Sequence, residues 1–264
     1  MKRILSLCTL AVLVALPAFA QTAYMRTPGE TLRYKETTEQ EQSIVSPQFE
    51  QDAKSTSEGI FTVTFAEADT VRAAFESLDV QSDTPMGKQD VNMMDMMTGG
   101  YLFTMQDDGS VETIETPTVT EGAPGGNIAG QFNNFFLKLP DEPLAMGTTW
   151  TTTRETEAQP GVTSTVESTY TVTGEEERAG MDVFVISLEG TNVIDGETSQ
   201  MGQTAIVSLK GTQQGTYYFS KDGIMVGAEV TTAVKGGIDV EANGEQMMID
   251  QTSDSVTRIE LLTD

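Results

Sequence analysis

Alternation of apolar and polar residues with a period of two is the feature that most constrains this chain. Phe61, Val63 and Phe65 alternate with threonines, and the same spacing recurs in the segments 204–210 and 257–261. This period places the apolar side chains on one face of a β-strand, and it is typical of antiparallel strands that are buried on one side. The chain is therefore expected to fold mainly as β-structure.

The length of the strand-like segments and the turns between them indicate how the strands are arranged. Runs such as 29–42, 163–173 and 204–220 are long, and Asp-Gly pairs at 108–109 and 222–223 interrupt the pattern. Asp-Gly tolerates the positive φ angles of tight hairpin turns. Long strands joined by hairpins predict an all-β fold with minor α content, in which one curved antiparallel sheet forms an open half-barrel.

One or two short helices are expected to cover the concave face of this half-barrel. In the first, Asn127 is the predicted N-cap, Pro140 ends the helix, and an apolar stripe follows helical spacing. This stripe consists of Phe132, Phe135, Phe136 and Leu139. The second helix is predicted over 91–97, with Asp90 as its N-cap.

The order of several short strings indicates an internal duplication. The strings GETL at 29–32 and GTTW at 147–150 each begin a strand, and YLF at 101–103 precedes an Asp-Gly turn as YYF does at 217–219. These parallels predict two related halves, about 29–116 and 147–262, that complete one sheet. The linker and first helix, over 121–140, would join them. Chance similarity between Thr- and Val-rich strands is the alternative explanation.

The first twenty residues have the features of a bacterial secretory signal peptide. Lys2 and Arg3 precede an apolar run over 4–16, and a small-x-small pattern ends at Ala20. Cleavage after Ala20 would leave a single domain over 21–264, located in the periplasm or outside the cell. An N-terminal membrane anchor is the alternative, although the run is short for crossing a bilayer. No later segment has the length of a transmembrane helix.

Charge and composition exclude several classes of function. The formal charge is −25, with no histidine and one cysteine, Cys8, in the apolar run of the signal peptide. Nucleic-acid binding requires clustered Lys and Arg, so this charge argues against it. Histidine-dependent catalysis and an internal disulfide are ruled out by counting. The chain is expected to be non-enzymatic, with no catalytic residues, no metal and no cofactor. The acidity indicates either a solvated surface or a salt-rich habitat.

Methionines and the single tryptophan each allow two interpretations. Met93, Met94, Met96 and Met97 carry thioethers that could bind Cu(I), but methionines also fill irregular apolar space, which is the favoured interpretation here. Trp150 is expected to be a core residue at the start of a strand, with a ligand contact as the alternative.

A resemblance to known proteins rests on the junction between the two halves. Residues 135–150, FFLKLPDEPLAMGTTW, resemble the phenylalanine-rich helix and Gly-Asp-x-Trp junction of secreted bacterial families of unknown function. The segment 215–223, Gly-Thr-x-x-Phe-x-x-Asp-Gly, is similar to their Gly-x-x-x-x-Asp-x-x-x-Gly hairpins. Those families are thought to share the half-barrel of lipoprotein carriers of the LolA and LppX type. The resemblance implies an open half-barrel with a lipid-binding concave face and no catalytic residues, although this chain is far more acidic than the carriers.

Two functions follow as expectations. The first is a secreted, non-enzymatic protein that binds a lipid or another hydrophobic small molecule in a concave groove. The second is an envelope scaffold or interaction protein, with an unknown protein partner, whose groove is filled by its own side chains. Whether the concave face is empty or filled distinguishes them. The candidate groove residues are Phe132, Phe135, Phe136, Leu139, Trp150, Met93, Met94, Met96 and Met97.

Overall fold

Fourteen β-strands account for most of the described part of the protein, for which we use a computed structural model. The structure describes residues 22–25, 27–67, 69–85, 87–120, 132, 135–200, 203–242 and 245–263. The predicted signal peptide and the proposed N-cap Asn127 lie outside these ranges. The strands are β1 (Thr31–Val45), β2 (Glu50–Phe65), β3 (Thr70–Thr84), β4 (Gly87–Asn92), β5 (Met97–Thr98), β6 (Tyr101–Met105), β7 (Val111–Glu115), β8 (Thr118–Val119), β9 (Thr149–Gln159), β10 (Val162–Arg178), β11 (Met181–Gln200), β12 (Gln203–Ser220), β13 (Met225–Ala242) and β14 (Glu245–Leu261).

Twelve of these strands form one antiparallel sheet, which confirms the predicted fold class. The strand order is β7-β6-β3-β2-β1-β14-β13-β12-β11-β10-β9, with β4 paired to β3 beside this path. The sheet is not closed, and β7 and β9 form its two ends. The second half, β9–β14, is an antiparallel meander, whereas in the first half β3 pairs with both β4 and β6. The two halves meet where β1 pairs with β14.

Ring contacts on one face show that the sheet is strongly curved. Phe103 on β6 and Phe219 on β12 are six strands apart, which is about 29 Å along a flat sheet. Three ring contacts nevertheless join them: Phe103 to Phe136 at 5.9 Å, Phe136 to Tyr24 at 6.3 Å, and Tyr24 to Phe219 at 5.0 Å. The core therefore lies on the concave face. We call the end of the sheet that carries this core the base, and the opposite end the distal end.

Two irregular stretches of chain cross at the base. We call 22–25 the N-terminal segment and 135–144 the core segment. The Tyr24 hydroxyl donates a hydrogen bond of 3.0 Å to the Leu137 carbonyl oxygen, and the Leu144 amide donates one of 3.1 Å to the Thr22 hydroxyl. These bonds fix the two segments to each other.

Each segment is also bonded to a hairpin of the sheet. The Met25 amide donates to the Gly223 carbonyl oxygen in the β12–β13 hairpin at 2.9 Å. The Leu139 amide donates to the Asp108 carbonyl oxygen in the β6–β7 hairpin at 2.7 Å. Because these hairpins lie in different halves of the sheet, the two segments tie the halves together at the base.

Neither predicted helix has its predicted form in the described residues. The first was predicted to end at Pro140, but residues 135–140 form a turn followed by irregular chain. Its side chains are buried in several directions, including Leu137, which lies off the predicted stripe. The second is shortened to one 3-10 turn, Met93–Asp95, in which the Asn92 side chain rather than Asp90 accepts the capping bond from Met94 N, at 2.9 Å.

The turns that precede β1 and β9 make matching contacts. Gly29 and Gly147 have φ angles of 85° and 86°, and their amides donate to the carbonyl oxygens of Phe65 and Val172 at 2.7 and 2.9 Å. Each turn is followed by one cross-strand pair of threonine hydroxyls, Thr31 with Thr64 at 2.9 Å and Thr149 with Thr171 at 3.1 Å. The internal duplication stays a prediction, and these contacts support it.

The contact between the N-terminal segment and the β12–β13 hairpin generates a prediction for Gly223. Its φ is +88°, and a Cβ there would overlap the Ala23 carbonyl oxygen and the Met25 amide nitrogen. Gly147 has nearly the same φ, but a Cβ there meets nothing within 4 Å. We expect Gly147→Ala to lower the free energy of unfolding by about 1–2 kcal/mol and Gly223→Ala to lower it by at least about 3 kcal/mol.

Urea denaturation of both variants checks this prediction. Equal losses for Gly223→Ala and Gly147→Ala would show that the N-terminal segment does not press against the hairpin.

Candidate functional site

The phenylalanines predicted to line a groove fill the base of the concave face instead. Phe132, Phe135 and Phe136 are each no more than 3% exposed, and Leu139 is also buried. The Phe135 ring lies 4.9 Å from the ring of Tyr34 and 5.3 Å from that of Phe61, in edge-to-face contacts. Such contacts are typical of a packed core. At the base, the chain's own side chains therefore occupy the concave face.

The methionines contribute to the same core. Met93 and Met97 are buried, while Met94 and Met96 are half-buried, and Met94 packs against the core from outside. These positions fit methionines that fill irregular apolar space. Within the described ranges, no group of three or more His, Cys, Asp or Glu residues is arranged to hold a metal ion.

Trp150 lies at the border of this core that faces the distal end of the sheet. Its indole Nε1 donates a hydrogen bond of 2.8 Å to the Lys138 carbonyl oxygen in the core segment. Its ring stacks on Tyr170 with the centroids 5.3 Å apart. The side chain is half-buried, so Trp150 marks the boundary between the filled base and the remaining concave face.

Buried tyrosine hydroxyls in the base bond to backbone oxygens. The Tyr34 hydroxyl donates to the Met225 carbonyl oxygen at 2.9 Å, as Tyr24 does to Leu137. Burial raises the pKa of Tyr34 well above its ordinary value. These hydroxyls are thus neutral structural groups and are not poised for acid–base chemistry.

Above the base, the concave face carries an unbroken row of small or neutral polar residues. The strand register places one such residue on each of ten neighbouring strands, from β9 across to β4. This polar row consists of Thr152, Ser168, Gly190, Gln213, Thr232, Ser255, Gln40, Ser55, Ser82 and Gln89. The row contains hydroxyls and amides but no charge, so it offers hydrogen bonds without electrostatic repulsion.

Distal to the polar row, β10–β13 carry a separate apolar cluster. We call it the distal patch, and it consists of Val162, Ile194, Val207, Leu209, Val234 and Ile238. Glycines make room for its larger members, because Gly196 lies directly opposite Val207 and Gly236 directly opposite Leu209. The patch is distinct from the core at the base.

A small cavity lies between the base and the polar row. Its volume is about 20 Å³, and its lining includes Arg154, Ser168, Tyr170, Gln213 and Tyr217. Sequence reasoning missed Arg154. The signal was available in the period-two spacing of β9, because position 154 lies four residues beyond Trp150 and therefore on the same face of the strand.

Comparison with known protein families gives a match over part of the chain. The model of a family of unknown function, DUF6263, matches residues 125–225. This range contains both the junction 135–150 and the hairpin 215–223. No curated protein sequence matches the chain. The predicted resemblance to a family of unknown function is therefore supported, while a secreted location and kinship with the LolA-type carriers stay predictions.

Among solved structures, one likeness is informative. A structure concerned with lipid–protein interactions in lipovitellin has a TM-score of 0.55 at 11% identity. It covers 90% of this chain, which spans only 26% of the lipovitellin chain, and it shows a similarity of fold.

Two other solved structures are much less similar. The Pseudomonas aeruginosa protein OccK5 has a TM-score of 0.24 at 9% identity, over 89% of this chain and 99% of that one. A DUF1329 family protein from Desulfovibrio piger has a TM-score of 0.12 at 13% identity, over 87% and 84%. These values carry no argument about function. None of the helices in the described part of the chain has the length and apolar character needed to cross a membrane.

The filled base predicts that Phe135 contributes to stability. Phe135→Ala removes a ring that is 3% exposed, and we expect it to lower the free energy of unfolding by about 3–5 kcal/mol. Phe49→Ala is the matched control, because that ring is 45% exposed, and the expected loss is below about 1 kcal/mol.

Thermal and urea unfolding of the two variants measure the difference. If Phe135 lined an empty groove, its removal would leave stability close to that of the Phe49→Ala variant.

Proposed function

We propose that this protein is a non-catalytic binding protein that holds a lipid or a similar hydrophobic ligand on the distal part of its concave face. The observation that carries the proposal is the distal patch, a second apolar cluster on the concave face that is separate from the core. Val162, Val207 and Leu209 form its buried floor, and Ile194, Val234 and Ile238 keep partly exposed side chains that a ligand can contact. Apolar burial of an acyl chain there would stabilise the complex by about 0.8 kcal/mol per CH₂ group. The proposal also agrees with the lipid–protein interactions described for lipovitellin, whose fold is similar.

The proposed location differs from the groove expected from the sequence. Phe132, Phe135 and Phe136 are part of the core, so a ligand at the base would have to displace them. On the distal part of the face, the polar row supplies hydroxyl and amide groups next to apolar side chains. A few polar groups beside an apolar surface are the usual composition of a lipid or small-molecule site.

A scaffold without a ligand is the second candidate, and the filled base favours it. Burial of Phe135, Phe136 and Met93 satisfies the condition set for a self-filled groove. In that case the acidic outer face would make the contacts with a partner. The secreted location, in the periplasm or outside the cell, is part of both proposals.

Binding of the neutral probe N-phenyl-1-naphthylamine tests the two candidates. We expect saturable binding to the folded wild-type protein, because an apolar site raises the fluorescence of this probe. Val234→Asn, which places an amide in the distal patch, should weaken binding severalfold. Val256→Asn is the matched control, since Val256 is half-buried on the opposite face of β14, and it should leave binding unchanged.

Mass spectrometry of organic extracts gives an independent result. A stoichiometric lipid in protein purified from its own host without detergent would support the proposal. No saturable probe binding, combined with a clean extract, would contradict it and favour the scaffold.

A further inference from the structure

The concave face carries a single basic side chain on its strands. Among the twelve Lys and Arg residues in the described ranges, Arg154 alone has a strand position on that face. The other strand positions point to the outer face, as Lys210 and Arg258 do. Arg154 is therefore the one basic strand residue among those described from which an anion on the concave face could accept hydrogen bonds.

The surroundings of Arg154 are those of a polar pocket. The cavity of about 20 Å³ beside it is also lined by Ser168, Gln213 and Tyr170. Ser168 is 5% exposed, so its hydroxyl lies out of bulk solvent. A cavity of this size accommodates about one water-sized group. A carboxylate oxygen has that size, and an arginine guanidinium binds carboxylates through strong, directional hydrogen bonds.

The charge of Arg154 reaches the buried end of the pocket. Burial raises the pKa of the Tyr217 hydroxyl, and Tyr170 raises it further, whereas the positive charge of Arg154 acts in the opposite direction. The Arg154 guanidinium is therefore close enough to the Tyr217 hydroxyl for its charge to act there. A cation at this position attracts an anion.

An apolar surface begins directly next to this pocket. Val166 is paired with Arg154 in the β9–β10 register, and Ile194 and Leu209 of the distal patch lie one row further from the base. Successive rows on one face of a strand are about 7 Å apart. A charged group at Arg154 thus has an apolar path toward the distal end of the sheet.

We propose that Arg154 binds the carboxylate of a long-chain amphiphile whose hydrocarbon tail lies along the distal patch. This inference rests on the proposed lipid-binding function and adds the chemical class of the ligand. It also assigns Ser168 and Gln213 as the neutral hydrogen-bonding partners of the headgroup.

Fluorescence of Trp150 provides a local readout, since it is the only tryptophan and stacks on Tyr170 in the pocket wall. The ligands are hexadecanoate and the uncharged hexadecanol, titrated below their aggregation limits at physiological salt. We expect the wild-type protein to bind hexadecanoate about tenfold more tightly than hexadecanol.

The variants separate the charge from the fold. Arg154→Gln should remove the preference for hexadecanoate while changing hexadecanol affinity by less than about twofold. Arg154→Lys, which keeps the positive charge, should retain part of the preference for hexadecanoate. Arg72→Gln is the matched control, because it removes the same charge from the outer face and should change neither affinity. Unfolding curves for all variants check that they fold.

Each outcome bears on a different claim. Equal binding of the two ligands, or hexadecanoate binding unaffected by Arg154→Gln in a folded variant, would overturn the carboxylate assignment and leave lipid binding intact. Absence of binding by both ligands would overturn the proposed function itself. Displacement of hexadecanoate by millimolar acetate would show a site for free carboxylates and would also overturn the assignment of an amphiphile.

Discussion

Packing of the core segment into the concave face is the interaction on which the rest of the structure depends. A single-layered sheet cannot bury its apolar face unless something covers it. Here Phe135 and Phe136 contact rings of the sheet and of the N-terminal segment, and the backbone of the core segment is bonded to that segment and to the β6–β7 hairpin. The curvature that joins strands far apart in the sheet follows from this packing.

The same packing divides the concave face into two parts, because the strands extend well beyond the core. The base is apolar and filled. The distal part begins at the polar row and continues to the distal patch, with Arg154 as its one cation among the described residues. Nearly all charge of the strands is directed to the outer face, where ion pairs such as Arg33–Glu76 lie partly exposed. Neutral hydrogen-bonding groups, apolar surface and one cation are thus concentrated where a ligand can be sheltered from the acidic exterior.

The sequence alone predicted the antiparallel sheet, but it did not predict which residues lie next to one another on the concave face. Period-two alternation predicted long antiparallel strands, and the burial of Phe132, Phe135, Phe136 and Leu139 agrees with the predicted coverage of the concave face. The helix prediction was wrong over 135–140 because helical spacing of aromatic residues also arises in irregular chain that is buried on several sides. The polar row depends on register across ten strands. Bulges that skip Glu76 and Thr173 shift this register, and local patterns do not reveal them.

Hydrogen–deuterium exchange with and without hexadecanol tests the division of the concave face most directly. The account predicts slower exchange for amides of 188–196 and 207–215, which carry the polar row and the distal patch on β11 and β12. Amides of the core segment, 135–144, should exchange at the same rate in both samples. A change confined to the core segment would show that the ligand enters the base, and no change in either region would contradict binding on the concave face.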